Sequence, residues 1–408
     1  MILLNGKQIL FKQCQDTYKH QPHNALKIGA NNSYIVTSFE ISDIWEFGHF
    51  KIHPSRKIDL PNRHFGLISK VECNSPFANT VFQAFATFIA TLLTFSTGKK
   101  ALAPNEITPF NNRELAPEEA LSIALHLPLT ETGPRKTVTK KSPDWEHRAK
   151  KNMEGLIDQL ANRDFPEKKR TQIVQTIRLF SLSVLTKEID FGLAYLLTAA
   201  AIESAAQQAI KPDEVSELPP KYEAWKEKAE REDGNFRELF REYEQNRNKS
   251  NLKARYTKFI FDYSSVEEWH KEIEHPNQEA YDNLPAEAKP HFEFMIRKNQ
   301  GEYYPEDLDH GELRRIIGKT YAHRSGFIHE GVQPPHTDAA TTNKFFQQLT
   351  TIAHAERKPN QSIEQFIKTV KQIKPKFELL PNIELMTTIG MISIRNWINS
   401  LQADQLPL

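Results

Sequence analysis

Two cysteines in 408 residues, Cys14 and Cys73, are too few for a disulfide framework, and two free thiols fit a reducing, cytoplasmic setting. A cysteine-based zinc site would need several histidines to complete it. His49, His53, His64 and Cys73 fall in a stretch that reads as strand and loop, with no acid in a recognised metal pattern, so neither a metal nor any other cofactor is expected. The N-terminus, MILLNGKQILFKQ, lacks the basic, apolar and small-residue regions of a secretory signal. Val81 to Phe95 is the most apolar run. At about 15 residues, with Gln83 and three threonines, it is short for a bilayer and reads as a buried helix, so no membrane partner is expected. A phosphate-cradling GxxxxGK[ST] loop is also missing, since FSTGKK near residue 98 lacks its first glycine and its spacing, which argues against an ATPase. No fixed-period repeat points to a solenoid. Net charge is +1, so any nucleic-acid contact must come from local concentrations of charge rather than from the chain as a whole.

What is present divides into two characters. To about residue 75, β-prone runs (Ile9 to Phe11, Tyr34 to Phe39, Phe65 to Val71) alternate with Gly, Asn and Pro clusters. Residues 77 to 97 then show apolar residues on a helical period, with Gly98 as a stop. This predicts an α+β domain over 1–125, whose role its residues do not indicate. A linker over 126–147 follows. Arg135 to Lys151 holds seven Lys/Arg against two Asp/Glu, which suits a solvated linker or a strip that attracts phosphates. From 148 to 408 the pattern is mainly α-helical. Helices are expected near 148–162, 166–183, 189–209, 221–247, 252–273, 286–298, 306–330, 338–356, 361–372 and 382–402, arranged as a compact bundle with an inserted charged hairpin. KSNLKARYTKF, residues 249–259, mixes basic and aromatic residues, as a solvated helix face or a nucleic-acid contact would.

The segment that carries chemistry is EDLDHGELRRIIGKTYAHRSGFIHEG. Leu313, Ile316, Ile317, Tyr321 and Ile328 fall on a helical stripe, Arg324 lies near it, and His329 closes the helix before Gly331 and Pro334-Pro335. An Arg and a His five apart stand about 140° apart on an ideal helix, so they do not share a face. Earlier, LAYLLTAAAIESAAQQ holds one acid, Glu203. Buried alone it would be costly, so it faces a wet cleft, meets a cation such as Arg324, or lies on an exposed stripe with Thr198 and Gln207.

The run Tyr-x-x-Arg-Ser-x-x-x-His-x-Gly (Tyr321, Arg324, Ser325, His329, Gly331) resembles the signature helix of the HEPN superfamily, and its Apea-like branch of prokaryotic defence proteins in particular. The likeness extends loosely over residues 170 to 405. It departs from the family at Gln207 and Gln208, where a basic residue is common, and at Ser325, where Asn, Asp or His is commoner. The resemblance implies a HEPN-like bundle and a metal-independent endoribonuclease that cleaves RNA by 2′-hydroxyl attack. Arg324, His329, Glu203 and Ser325 would form its catalytic set. It also implies a homodimer with a composite active site, acting as a toxin in antiviral defence by abortive infection, with a phage-derived trigger or regulatory partner. A non-catalytic HEPN module that binds RNA or protein is the alternative. Lys319, His323 and Arg315 upstream of the motif would extend an RNA-binding track.

Overall fold

The computed structural model describes residues 31–47, 50–60, 64–73, 79–104, 114–127, 143–161, 166–216, 218–231, 234–273, 281, 284–293, 308–335, 345–351, 362–372 and 376–403. The expected strand at Ile9 to Phe11 and most of the basic linker lie outside them. The chain forms two compact units. One holds residues 1–188, 279–292 and 394–408, and the other holds 189–278 and 293–393.

In the first unit, β1 (Asn31–Thr37), β2 (Trp45–Phe47), β3 (Phe50–Ile52), β4 (Arg56–Leu60), β5 (His64–Cys73) and β6 (Ala101–Leu102) make one antiparallel sheet. The long β5 organises it. β1 takes one edge, and β3 and β4 share successive stretches of the other. Tyr34 and Val36 pack with Ile58, Ile68, Ala120 and Ala124, bringing in α2 (Pro117–His126). The pleat turns Ile35 to the opposite face, where it is equally buried. The apolar run expected as a helix is α1 (Asn79–Thr97), which packs on β1 and β6. It also packs on α3 (Pro143–Ala161) and α4 (Glu167–Thr186), where the Ser181 hydroxyl donates to the Thr91 carbonyl at 2.9 Å. In the first turn of α3, the buried Glu146 carboxylate accepts from the Ser42 N–H (2.8 Å) and Trp45 Nε1 (2.9 Å). Residues 148–186, read from sequence with the helical part, belong instead to the strand-rich unit, where they pack on α1. Among the described residues, no helix is long and apolar enough to cross a membrane.

The second unit is mostly helical. It contains α5 (Phe191–Ala209), α6 (Tyr222–Arg231), α7 (Asn235–Ser250), α8 (Leu252–Tyr263) and α9 (Val266–Glu272). After the short α10 (Lys289–Phe292) of the first unit come α11 (His310–Glu330), β7 (Gln347–Thr351), α12 (Ile363–Gln372) and β8 (Lys376–Leu379). The last helix, α13 (Ile383–Ala403), runs through the division at 393/394. A mixed architecture results, with a strand-rich N-terminal part and mostly helix after it.

Three sequence expectations need correction. The helix expected over 221–247 is two, broken at Gly234, whose φ of +129° belongs to glycine. They form a hairpin with an aromatic seam (Tyr222 on Phe240, Trp225 on Tyr243). The helix expected over 252–273 breaks at Ser264, which is extended. Ser265 then caps α9 through a reciprocal pair with Glu268. The helix expected over 338–356 gives way, in its described part, to β7. Its Leu349, Thr350 and Thr351 are β-prone types, and an antiparallel partner exists in β8.

Candidate functional site

α5, α8 and α11 pack pairwise on one another in the second unit. Small residues make this possible. Ala194, Ala199, Ala201, Ala205 and Ala206 on α5 are all buried and let its neighbours come close. α8 and α11 approach at Gly318, where an added Cβ would stand 3.0 Å from Lys253 Cε. The last turn of α11 lies over the start of α5, with Phe327 and Gln333 against Gly192. The Asp190 side chain caps α5 by accepting from the Leu193 N–H, and Asp309 caps α11 by accepting from the Glu312 N–H, each at 2.9 Å. α11 ends at Gly331, left-handed at φ +69°, whose N–H donates to the Phe327 carbonyl at 3.1 Å.

Of the three settings open to Glu203, the structure has the cation. Glu203 Oε2 lies 2.8 Å from Arg324 Nη2, with side-chain exposures of 7% and 21%. The approach is a charge contact rather than an aligned hydrogen bond, since neither Oε2 nor the buried Arg324 Nε makes one. Oε1 accepts from Gln207 Nε2 at 3.0 Å, so Gln207 serves the carboxylate as a neutral donor. Thr198 is buried, which removes the exposed-stripe reading. Tyr321 places its ring 5.8 Å from the Arg324 guanidinium carbon. Burial first, then the Glu203 charge, raises its phenol above the ordinary value, against the opposing charge of Arg324. Behind it, Tyr256 stacks obliquely at 5.5 Å and shares a 2.9 Å hydrogen bond with Thr320. Burial pushes the Tyr256 phenol well up.

A second cluster lies on another side of α11. Glu378, on β8, places Oε1 2.9 Å from Lys319 Nζ and Oε2 3.1 Å from His323 Nε2. Burial alone would raise its pKa. The Lys319 hydrogen bond and the His323 charge outweigh this and hold it below the usual carboxylate value. Lys319 and His323, expected on an RNA-binding track, thus already share a carboxylate, while Arg315 pairs with Glu312 at 3.3 Å. His329 stands exposed in the last turn of α11, Ser325 is half-buried, and Ile328, expected in the apolar stripe, is 47% exposed. Helical geometry keeps Arg324 and His329 about 140° apart within one chain.

The basic-aromatic run over 249–259 resolves differently from either sequence reading. Tyr256 and Phe259 are core, and the buried Arg255 donates from Nη2 to the Gln207 carbonyl, tying α8 to α5. Sequence reasoning did not find Glu378, because no local pattern links positions 319 and 323 to a residue 55 positions on in an unrecognised strand. Tyr321 was legible in the apolar stripe and as the first residue of the motif, but not as a neighbour of the Glu203–Arg324 pair.

Comparison with protein-family models, with curated proteins and with solved structures finds no match for this chain.

Proposed function

We propose that this chain is a HEPN-type, metal-independent endoribonuclease. The observation that carries the reading is the contact of buried Glu203 on α5 with Arg324 on α11, with an exposed His329 five residues beyond Arg324. RNA holds its own nucleophile. His329 takes the 2′-hydroxyl proton, or supplies one to the departing 5′-oxygen, and imidazole is suited to either near neutral pH. Arg324 is always cationic and neutralises the phosphorane that forms between these steps. Glu203 acts through Arg324 as a positioning residue, and Ser325 offers a polar group beside it. The 2′-oxygen bonds to phosphorus as the bond to the 5′-oxygen breaks, leaving a 2′,3′-cyclic phosphate and a 5′-hydroxyl. One chain supplies one histidine and one arginine, so the site is composite and the active species is a homodimer. Its role is that of a cytoplasmic effector in antiviral defence by abortive infection, released by a phage-derived trigger or regulatory partner.

A 2′-deoxy substitution at the cut position tests the chemistry, because it should abolish cleavage there while leaving binding intact. Cleavage of the substituted strand at the same bond would refute the mechanism.

One observation favours the second reading, a non-catalytic HEPN module that binds RNA or protein. Arg324 is already engaged by Glu203 and held away from His329. RNA binding without turnover by a dimeric preparation would select that reading.

A further inference from the structure

We propose that Lys319 and His323 form a phosphate subsite on α11, and that Glu378 is its built-in occupant, displaced by a phosphodiester of single-stranded RNA. The proposal rests on the RNA-directed reading of α11 given above.

Lys319 and His323 are one turn apart and share a face of the helix. They grip the two oxygens of one carboxylate separately, at 2.9 and 3.1 Å. A phosphodiester presents the same pattern, a single negative charge over two non-bridging oxygens. The cluster reaches solvent, with side-chain exposures of 32% for Lys319, 22% for His323 and 25% for Glu378. An incoming anion can therefore meet both donors without unfolding the helix. His323 precedes Arg324 by one residue and points about 100° away from it, so an occupied subsite lies round α11 from the proposed reactive centre.

Glu378 is not what fastens its hairpin. Phe345 and Phe346, just before β7, are fully buried. The Asn382 N–H donates to the Phe345 carbonyl at 2.7 Å, and the Leu380 N–H to the Phe346 carbonyl at 3.2 Å. The Tyr195 hydroxyl donates to the Pro381 carbonyl at 3.4 Å. The carboxylate can swing out while these contacts keep β8 in place. In the resting chain Glu378 cancels the two cations and competes with RNA. The helix is thereby kept from gripping polyanions indiscriminately, and binding is confined to strands that make enough other contacts to displace it.

The test is binding, not cleavage. A short fluorescent 2′-deoxy oligonucleotide lacks the nucleophile and reports affinity alone by anisotropy. Glu378→Gln should bind it about tenfold more tightly than wild type at low salt, because one competing charge is gone. Inorganic phosphate should compete with that binding. Adding Lys319→Gln and His323→Gln to Glu378→Gln should erase the gain. Unchanged or weaker binding by Glu378→Gln, or a gain that survives loss of both donors, overturns the proposal. Should Glu378→Gln fail to fold, Lys319→Gln/His323→Gln in the otherwise native chain decides, since binding equal to wild type overturns the proposal equally. A gain in Glu378→Gln by a protein that never cuts RNA would sink the nuclease reading and leave the subsite standing. RNA cleavage with no gain in Glu378→Gln would do the reverse.

Discussion

At the scale of single residues, the molecule turns on a carboxylate placed where carboxylates rarely sit. Glu203 is enclosed by alanines and aromatics, and the Arg324 charge at 2.8 Å offsets its desolvation. Removing one partner leaves the other buried and unpaired. Glu203→Ala is therefore expected to cost about 3 kcal/mol of stability in urea unfolding. The double variant Glu203→Ala/Arg324→Ala should cost clearly less than the two single variants added together. Strict additivity would mean that the pair does not interact. The sequence singled out Glu203 because one acid interrupts a long apolar run, and offered the pair with Arg324 as one of three settings for it. Glu378 was not singled out, because its importance depends on a strand pairing that brings it to a helix far away in sequence.

At the scale of elements, long periodic segments announced themselves and their interruptions did not. α1, α5 and α11 form where helical periods were read. The breaks at Gly234 and Ser264 depend on one left-handed glycine and one serine cap, which a periodicity of apolar residues does not register. The β7–β8 pair was invisible because a short strand is stabilised by its partner rather than by its own residues. The end of α11 rests on Gly331. Gly331→Val forces a β-branched residue into φ +69° and should lower stability by about 1–2 kcal/mol, read as a drop in Tm. A Tm equal to wild type would show that the last turn carries no load. The contacts Glu378 makes to Lys319 and His323 add an electrostatic contribution that depends on pH. Glu378 is held below its usual value when folded, so its contribution is full above the ordinary carboxylate range. It is lost as pH falls through the lowered folded value. Wild type should therefore melt above Glu378→Gln at neutral pH, and the two should converge as pH falls through that lowered value. A difference that persists unchanged in acid would contradict this dependence.

At the scale of the whole molecule, a strand-rich unit and a helical unit divide the chain, and the candidate chemistry belongs entirely to the second. The sequence separated a β-rich beginning from a helical remainder, yet it could not tell that residues 148–186 belong to the strand-rich unit and pack on α1. Their amphipathic patterns show that each helix has a buried face, not what covers it. Glu203 and Arg324 meet while His329 stands exposed five residues further along α11, and the proposed composite site would join two such arrangements. The most direct measurement is cleavage of single-stranded RNA by the purified full-length protein in EDTA, alongside Arg324→Ala and His329→Ala. The account predicts cutting that EDTA leaves intact and that either substitution abolishes. Full activity in His329→Ala, or loss of wild-type activity in EDTA, would contradict it.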